Sequence, residues 1–177
     1  MRKLENKELN RLSIDAFKIA DKFPVIIVLD NIRSQHNIGS VFRTSDAFRI
    51  ESIHLCGITA IPPNREIHKT ALGATETVEW HYFETTLQSI NYLKSNNYLI
   101  CAVEQADNSI SLDTFRINNE QKVALIFGNE VDGISEEVMQ NIDTCIEIPQ
   151  FGTKHSLNIS VSAGIVIWEI AKKYFFN

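Results

Sequence analysis

Residues 24–48 read PVIIVLDNIRSQHNIGSVFRTSDAF. The run up to Asp30 is apolar without alternation, the pattern of a strand covered on both faces. From Asn37 the apolar or small residues Ile38, Val41, Phe42, Ser45 and Phe48 fall on one helical face. Asn37–Phe48 therefore reads as a helix with Asn37 as its N-cap. Working outward, strands are predicted at 52–56, 77–83, 98–103, 122–127 and 144–148, the last stopped by Pro149. Helices are predicted at 1–20, 85–95, 135–142 (capped by Ser135) and 156–175 (capped by Ser156). Residues 57–69, with Pro62, Pro63 and Asn64, read as a loop. The alternation predicts an α/β fold with a mostly parallel sheet flanked by helices.

The chain has 177 residues, suited to one domain and a short extension. Its net charge of −5 argues against coating nucleic acid through bulk charge. Basic residues nevertheless gather near the loops: Arg33, His36, Arg43, Arg65, His68, Lys69, Lys154 and His155. Cys56, Cys101 and Cys145 form no CxxC or CxH pair, so buried free thiols are expected and a metal site has no support. No apolar run is long enough for a bilayer, and the charged start (MRKLENKELN) lacks a signal peptide's apolar core. A cytoplasmic protein without a membrane partner is expected. The last helix is apolar around most of its circumference, through Val161, Ile165, Val166, Ile167, Trp168, Ile170, Tyr174 and Phe175. Such a helix is covered on several sides, either within the monomer or by a second copy.

Three polar–glycine segments carry most of the chemistry: Asn31–Arg43, Phe127–Gly133 and Ile148–Asn158. Each lies near a strand's end, where α/β sheets bind ligands, so one composite site is expected. In the first, Gly39 permits close approach of a ligand or neighbour. Arg43 needs an anion or buried partner if it faces the core; otherwise it snorkels. In the second, Gly128 leaves room for an adenine or ribose, and Glu130 suits a base, an acceptor or an ion-pair partner. In the third, Lys154 and His155 suit phosphates, and Asn158 sits in the first helical turn. There is no GxSxG elbow, no GxGxxG after the first strand and no Walker A loop. These absences count against hydrolase, dinucleotide-binding and ATP-hydrolysing chemistry.

Together the segments resemble the motifs of the SpoU (TrmH) family of RNA 2'-O-ribose methyltransferases, in the SPOUT superfamily. The first matches through Asn37, Gly39 and Arg43, continuing as TSDAF. The second matches through FGNExxG with Glu130, and the third through IPxxGxxxSLNxSVSAG. KTALGAT between them is also similar to the family, and the likeness covers about residues 22–175. It implies a short N-terminal helical extension, 1–21, before a SPOUT methyltransferase domain, 22–177. It also implies an α/β-knot fold, with the C-terminal part threaded as a deep trefoil knot, which general chain rules alone would exclude.

The resemblance further implies S-adenosyl-L-methionine as cofactor, held by Gly128, Ile148 and Leu157, with Glu104 as an addition. It implies a homodimer packed through the C-terminal helix, and a tRNA or rRNA substrate methylated on a ribose 2'-hydroxyl. Arg43 is the implied activating residue, assisted by Asn37, Glu130, Ser156 and Asn158. Because arginine keeps its proton in proteins, Arg43 is expected to bind the adjacent phosphate and polarise the hydroxyl. Glu130 then either holds Arg43 or accepts the proton. Arg33, Arg65, Lys69, Lys154 and His155 are the expected RNA contacts. The competing reading is a catalytically silent RNA-binding module of the same fold.

Overall fold

The computed structural model describes residues 1–118 and 120–175. Seven strands form one sheet: β1 (Phe23–Asp30), β2 (Ile50–Cys56), β3 (Glu79–Phe83), β4 (Leu99–Val103), β5 (Ile110–Ser111), β6 (Val123–Phe127) and β7 (Thr144–Glu147). Their order is β3-β2-β1-β6-β4-β7-β5, and every pairing is parallel. The helices are α1 (Ile14–Ile19), α2 (Gln35–Ala47), α3 (Arg65–Ala71), α4 (Thr86–Ser95), α5 (Glu136–Met139) and α6 (Ile159–Phe175).

The unbroken apolar run of β1 has a direct cause. Val25, Ile27 and Leu29 enter one core with α2, α3 and α6, while Ile26 and Val28 enter a second core with α4 and α5. Ile27, Val28 and Leu29 are fully buried, each contributing on the order of 1.5–3 kcal/mol by removal from water. The edge strand β3, by contrast, leaves Glu79, His81 and Tyr82 exposed, which blunts the sheet edge. All three cysteines are free and buried, and burial raises the Cys56 thiol to about 12. His54 is also fully buried. Its Nδ1 pairs with Ser89 Oγ at 2.7 Å, and burial, then the neighbouring His81, depress it to about 3.

Several boundaries differ from the sequence expectation, and capping explains most of them. Helix α2 starts at Gln35 because Ser34, not Asn37, is its cap: Ser34 Oγ accepts from the Asn37 N–H at 3.3 Å. The expected loop 57–69 ends early, because Asn64 Oδ1 accepts from the N–H groups of Glu66 and Ile67 and starts α3. Residues 1–20 hold a 3-10 turn, Asn6–Glu8, and the short α1 rather than one helix. Helix α6 begins at Ile159, three residues after the expected cap Ser156. Asn158 caps it instead: its carbonyl accepts from Val161 and Ser162, and its side-chain oxygen from the Ser160 N–H at 2.9 Å.

Helix α6 buries Ala163, Val166, Ile167, Ile170 and Ala171 within the monomer. Its Trp168 ring lies 5.9 Å from Phe48, at the end of α2. Val161, Ile165 and Trp168, at i, i+4 and i+7, remain 50%, 38% and 49% exposed. The side chain of Phe175, expected on the same surface, lies outside the described residues. Among the described residues, no helix is long and apolar enough to cross a membrane.

Candidate functional site

Beyond β1 the chain turns one way to β2 and β3, while β6, β4, β7 and β5 lie on the other side. The crevice is therefore expected beside β1 and β6, at the strands' carboxyl ends. A cavity of about 700 Å³ lies one step further along the sheet, on the side of β6 away from β1, walled by the carboxyl ends of β4, β6 and β7 and by residues just before α6. Glu104, Gly128, Ile148 and Leu157 all line it. So do Glu130, His155, Ser156 and Asn158.

Side chains knit the three polar segments together. Glu130 Oε2 accepts from the Arg33 N–H and Oε1 from the Ser34 N–H, both at 3.0 Å. Asn37 Nδ2 donates to Glu130 Oε1 at 3.3 Å, and Asn158 Nδ2 donates to Asn37 Oδ1 at 3.1 Å. The line Glu130–Asn37–Asn158 thus joins all three segments. Partial burial works to raise the Glu130 carboxyl, but the N–H groups of Arg33, Glu130 itself and Ser34, with the Asn37 amide, outweigh it. The net effect is a carboxyl below its ordinary range, hence an anion at neutral pH and a weak base.

Arg43 lies outside this cluster. It is exposed on α2, whose buried face is made by Ile38, Val41, Phe42 and Ser45. The arginine makes no hydrogen bond or ion pair among the described residues. Glu130 therefore holds the loop after β1 and the first turn of α2, through Arg33, Ser34 and Asn37, rather than Arg43. Ser156 is exposed at the cavity wall, with no hydrogen-bond partner for its hydroxyl among the described residues. The five candidate RNA contacts, Arg33, Arg65, Lys69, Lys154 and His155, are all exposed. Arg33 flanks the loop after β1, Lys154 and His155 lie in the segment before α6, and Arg65 and Lys69 stand on α3, with Lys69 paired to Glu66 at 2.7 Å.

The two motif glycines serve chain packing. A Cβ on Gly39 would overlap Thr70 Oγ1 and the Ile67 carbonyl, so this glycine admits α3 against α2. A Cβ on Gly128 would sit 2.5 Å from the Ile134 nitrogen. Its neighbour in space is the returning loop, which Asn129 and Gly133 close through paired backbone bonds of 3.0 and 2.9 Å.

The sequence model of the SpoU rRNA Methylase family matches residues 24–168. The chain belongs to this family. Among its relatives is the 23S rRNA (guanosine-2'-O-)-methyltransferase RlmB of Neisseria meningitidis serogroup B, 31% identical over 150 residues. That match covers 85% of this chain and 59% of RlmB. An uncharacterized tRNA/rRNA methyltransferase of Borreliella burgdorferi is 31% identical over 174 residues, covering 97% of this chain and 73% of that protein. The AdoMet-bound rRNA methyltransferase of Sinorhizobium meliloti superposes with a TM-score of 0.79 at 26% identity, covering 89% of this chain and 59% of that one. The chain thus spans less than two thirds of RlmB and of the S. meliloti protein.

Within this SpoU family site, sequence reasoning missed Asn129 and Gln105. Asn129 Nδ2 donates to the Asn31 carbonyl at 2.7 Å, fastening the second loop to the first. Gln105 Nε2 donates to the His155 carbonyl at 2.6 Å, fastening the end of β4 to the third. Asn129 stands inside the FGNE motif between two residues that were singled out. Gln105 follows Glu104 directly, and position after a strand is its only signal.

Proposed function

We propose that this chain transfers a methyl group from S-adenosyl-L-methionine to a ribose 2'-hydroxyl of tRNA or rRNA, in the cytoplasm, as a homodimer. The observation that carries this is the side-chain line Glu130–Asn37–Asn158, whose two ends stand in the wall of the 700 Å³ cavity and which joins all three family motifs in one place. The cavity suits the cofactor. Its volume is within the range of small-molecule sites, and its wall combines apolar Val103, Ile148 and Leu157 with the carboxylate of Glu104. Gly128, Ile148, Leu157 and Glu104 would hold the cofactor. When bound, it supplies an electrophilic methyl group on a sulfonium centre.

The remaining work falls to this chain's own groups. Asn37 holds Asn158 at the cavity wall, and Glu130 fixes the loop that carries Arg33 and Ser34. Arg43 makes no hydrogen bond or ion pair among the described residues, which leaves its guanidinium to take an RNA phosphate bidentately beside the reacting ribose. Its charge favours loss of the 2'-hydroxyl proton, which goes to a phosphate oxygen or water. Glu130 is the weaker choice of acceptor, because its oxygens already receive three N–H groups. Ser156, whose hydroxyl has no hydrogen-bond partner among the described residues, orients the ribose. Arg33, Arg65, Lys69, Lys154 and His155 supply phosphate contacts, so RNA affinity falls steeply with salt.

The dimer reading rests on Val161, Ile165 and Trp168, an exposed apolar stripe on α6. The trefoil knot is supported by family membership and by the path of the chain: after β7, beyond β4 in the sheet, it returns to pack α6 against α2. The decisive test is calorimetric titration with S-adenosyl-L-methionine, with Leu157→Trp as the filled-cavity control. It is followed by labelled-methyl transfer to bulk tRNA and rRNA and digestion to nucleosides. Saturable binding, weakened in the control, with label on ribose is expected. RNA binding without cofactor affinity would instead identify the silent module, and label on a base would overturn the ribose assignment.

A further inference from the structure

A second cavity, of about 590 Å³, lies on the far side of α3, where this helix meets the start of β3. Its apolar lining includes the Trp80 indole and the rings of Pro62 and Pro63. Arg65 and His68, one turn apart on α3, stand at the same cavity, as does Glu76. Arg65 and His68 are exposed, and their side chains have no hydrogen bond or ion pair among the described residues. In a chain of net charge −5, two unneutralised cationic or cationisable groups beside an aromatic slot stand out.

Helix α3 has two faces with different work. Glu66 and Thr70 bind it to the first turn of α2: Glu66 Oε2 meets His36 Nε2 at 3.0 Å, and the Thr70 hydroxyl donates to the His36 carbonyl at 3.0 Å. His36 immediately precedes Asn37 of the composite site. Arg65 and His68 face the cavity. An RNA engaged at the composite site can therefore reach the cavity by passing over a single short helix.

We infer that this cavity is a subsite for one unpaired nucleotide of the substrate RNA, near the nucleotide that is methylated. The base lies against Trp80 and the prolines, and its phosphate meets Arg65 and His68. Stacking on an aromatic side chain is open to every base, and cations beside it follow the backbone. A base inside a duplex is already stacked and paired and cannot enter, so the site selects single-stranded loops. Glu76 offers an acceptor to an exocyclic amino group and disfavours a second phosphate. This rests on the proposed function for the identity of the RNA as substrate.

Two measurements separate the two proposals. In the first, hexa-adenylate is titrated into the native protein at low salt while tryptophan emission is followed. Saturable quenching is expected, lost in Trp80→Phe, which retains Trp168. Quenching that persists in Trp80→Phe, or none in the native protein, overturns the subsite whether or not the protein proves to be a methyltransferase. In the second, labelled-methyl transfer to bulk RNA is compared for the native chain and for Arg65→Gln/His68→Gln, two surface changes outside the core. KM for RNA is expected to rise about tenfold, with the calorimetric affinity for S-adenosyl-L-methionine as in the native chain. Methylation with a native KM would overturn the subsite and leave the methyltransferase reading intact. Failure of cofactor binding in the native chain would sink that reading alone, because the quenching result stands by itself.

Discussion

Two loops wall the same cavity and are built in opposite ways. Residues 128–134 form a braced turn. Asn129 and Gly133 exchange backbone bonds, Asn129 Oδ1 accepts from the N–H groups of Val131 and Asp132, and its amide donates to the Asn31 carbonyl. Residues 150–157 contribute no backbone–backbone hydrogen bond among the described residues, and positions 151–158 are all exposed. Phe151 is 97% exposed. The side chains of Gln105 and Asn37 tether this segment, at His155 and Asn158. One loop is a preformed wall; the other has few bonds to lose, so a ligand can reshape it cheaply.

The comparison is open to attack at matched positions. Gly128→Ala carries the largest expected effect, because its Cβ meets backbone that cannot swing away. We expect about 1–3 kcal/mol of lost stability in denaturant unfolding, together with at least tenfold weaker S-adenosyl-L-methionine binding. Native stability in this variant would show that the turn is not braced. Asn158→Ala removes both the cap of α6 and the tether to Asn37, and should cost about 1 kcal/mol. It should also lower methyl transfer several-fold, without altering near-ultraviolet dichroism of the core.

Glu130→Gln should cost about 1 kcal/mol at pH 7, since a neutral amide is a poorer acceptor for two backbone N–H groups. The native carboxyl lies below its ordinary range, so its stabilisation is complete above the unfolded value of about 4.3. It is lost as pH falls through the lower folded value. The gap between native and variant proteins should therefore close in acid. If it stays constant, Glu130 does not act through its charge. Gly152→Ala is the smallest change: a Cβ there meets nothing within 4 Å, and unfolding should shift by less than about 0.5 kcal/mol. A larger loss would show order in the tethered loop.

The strands were legible because a parallel sheet covered on both faces leaves continuous apolar runs, and β1 and β6 show them plainly. Two-residue β5 was not, since Ile110–Ser111 has too few residues for any period. Caps were legible as residue types but not as positions. Ser34 and Asn37 both suit the start of α2, and Ser156 and Asn158 both suit α6; only the backbone decides between them. The prolines at 62 and 63 hid α3, although Asn64 directly after them is an ordinary cap.

Within the site, the motif residues Asn37, Glu130 and Asn158 converge as one expects of a composite site. Their division of labour was illegible. Glu130 appeared free for Arg43 because the sequence does not show the N–H groups of Arg33 and Ser34 that claim its oxygens. Gly39 was read as admitting a ligand or a neighbour and it admits a neighbour, α3; Gly128 was read toward a ligand, whereas it makes room for another stretch of the same chain.

The bond between Asn37 and Asn158 spans 121 residues, and those from Glu130 to residues 33, 34 and 37 span 97, 96 and 93. A nascent chain can hold most of the sheet before its cavity has a rim, because Asn158 emerges after all seven strands. Closing such long loops is slow relative to local structure. The polar line that unites the motifs is therefore a late event in the folding of each molecule, closed only after the last strand and the residues before α6 have emerged.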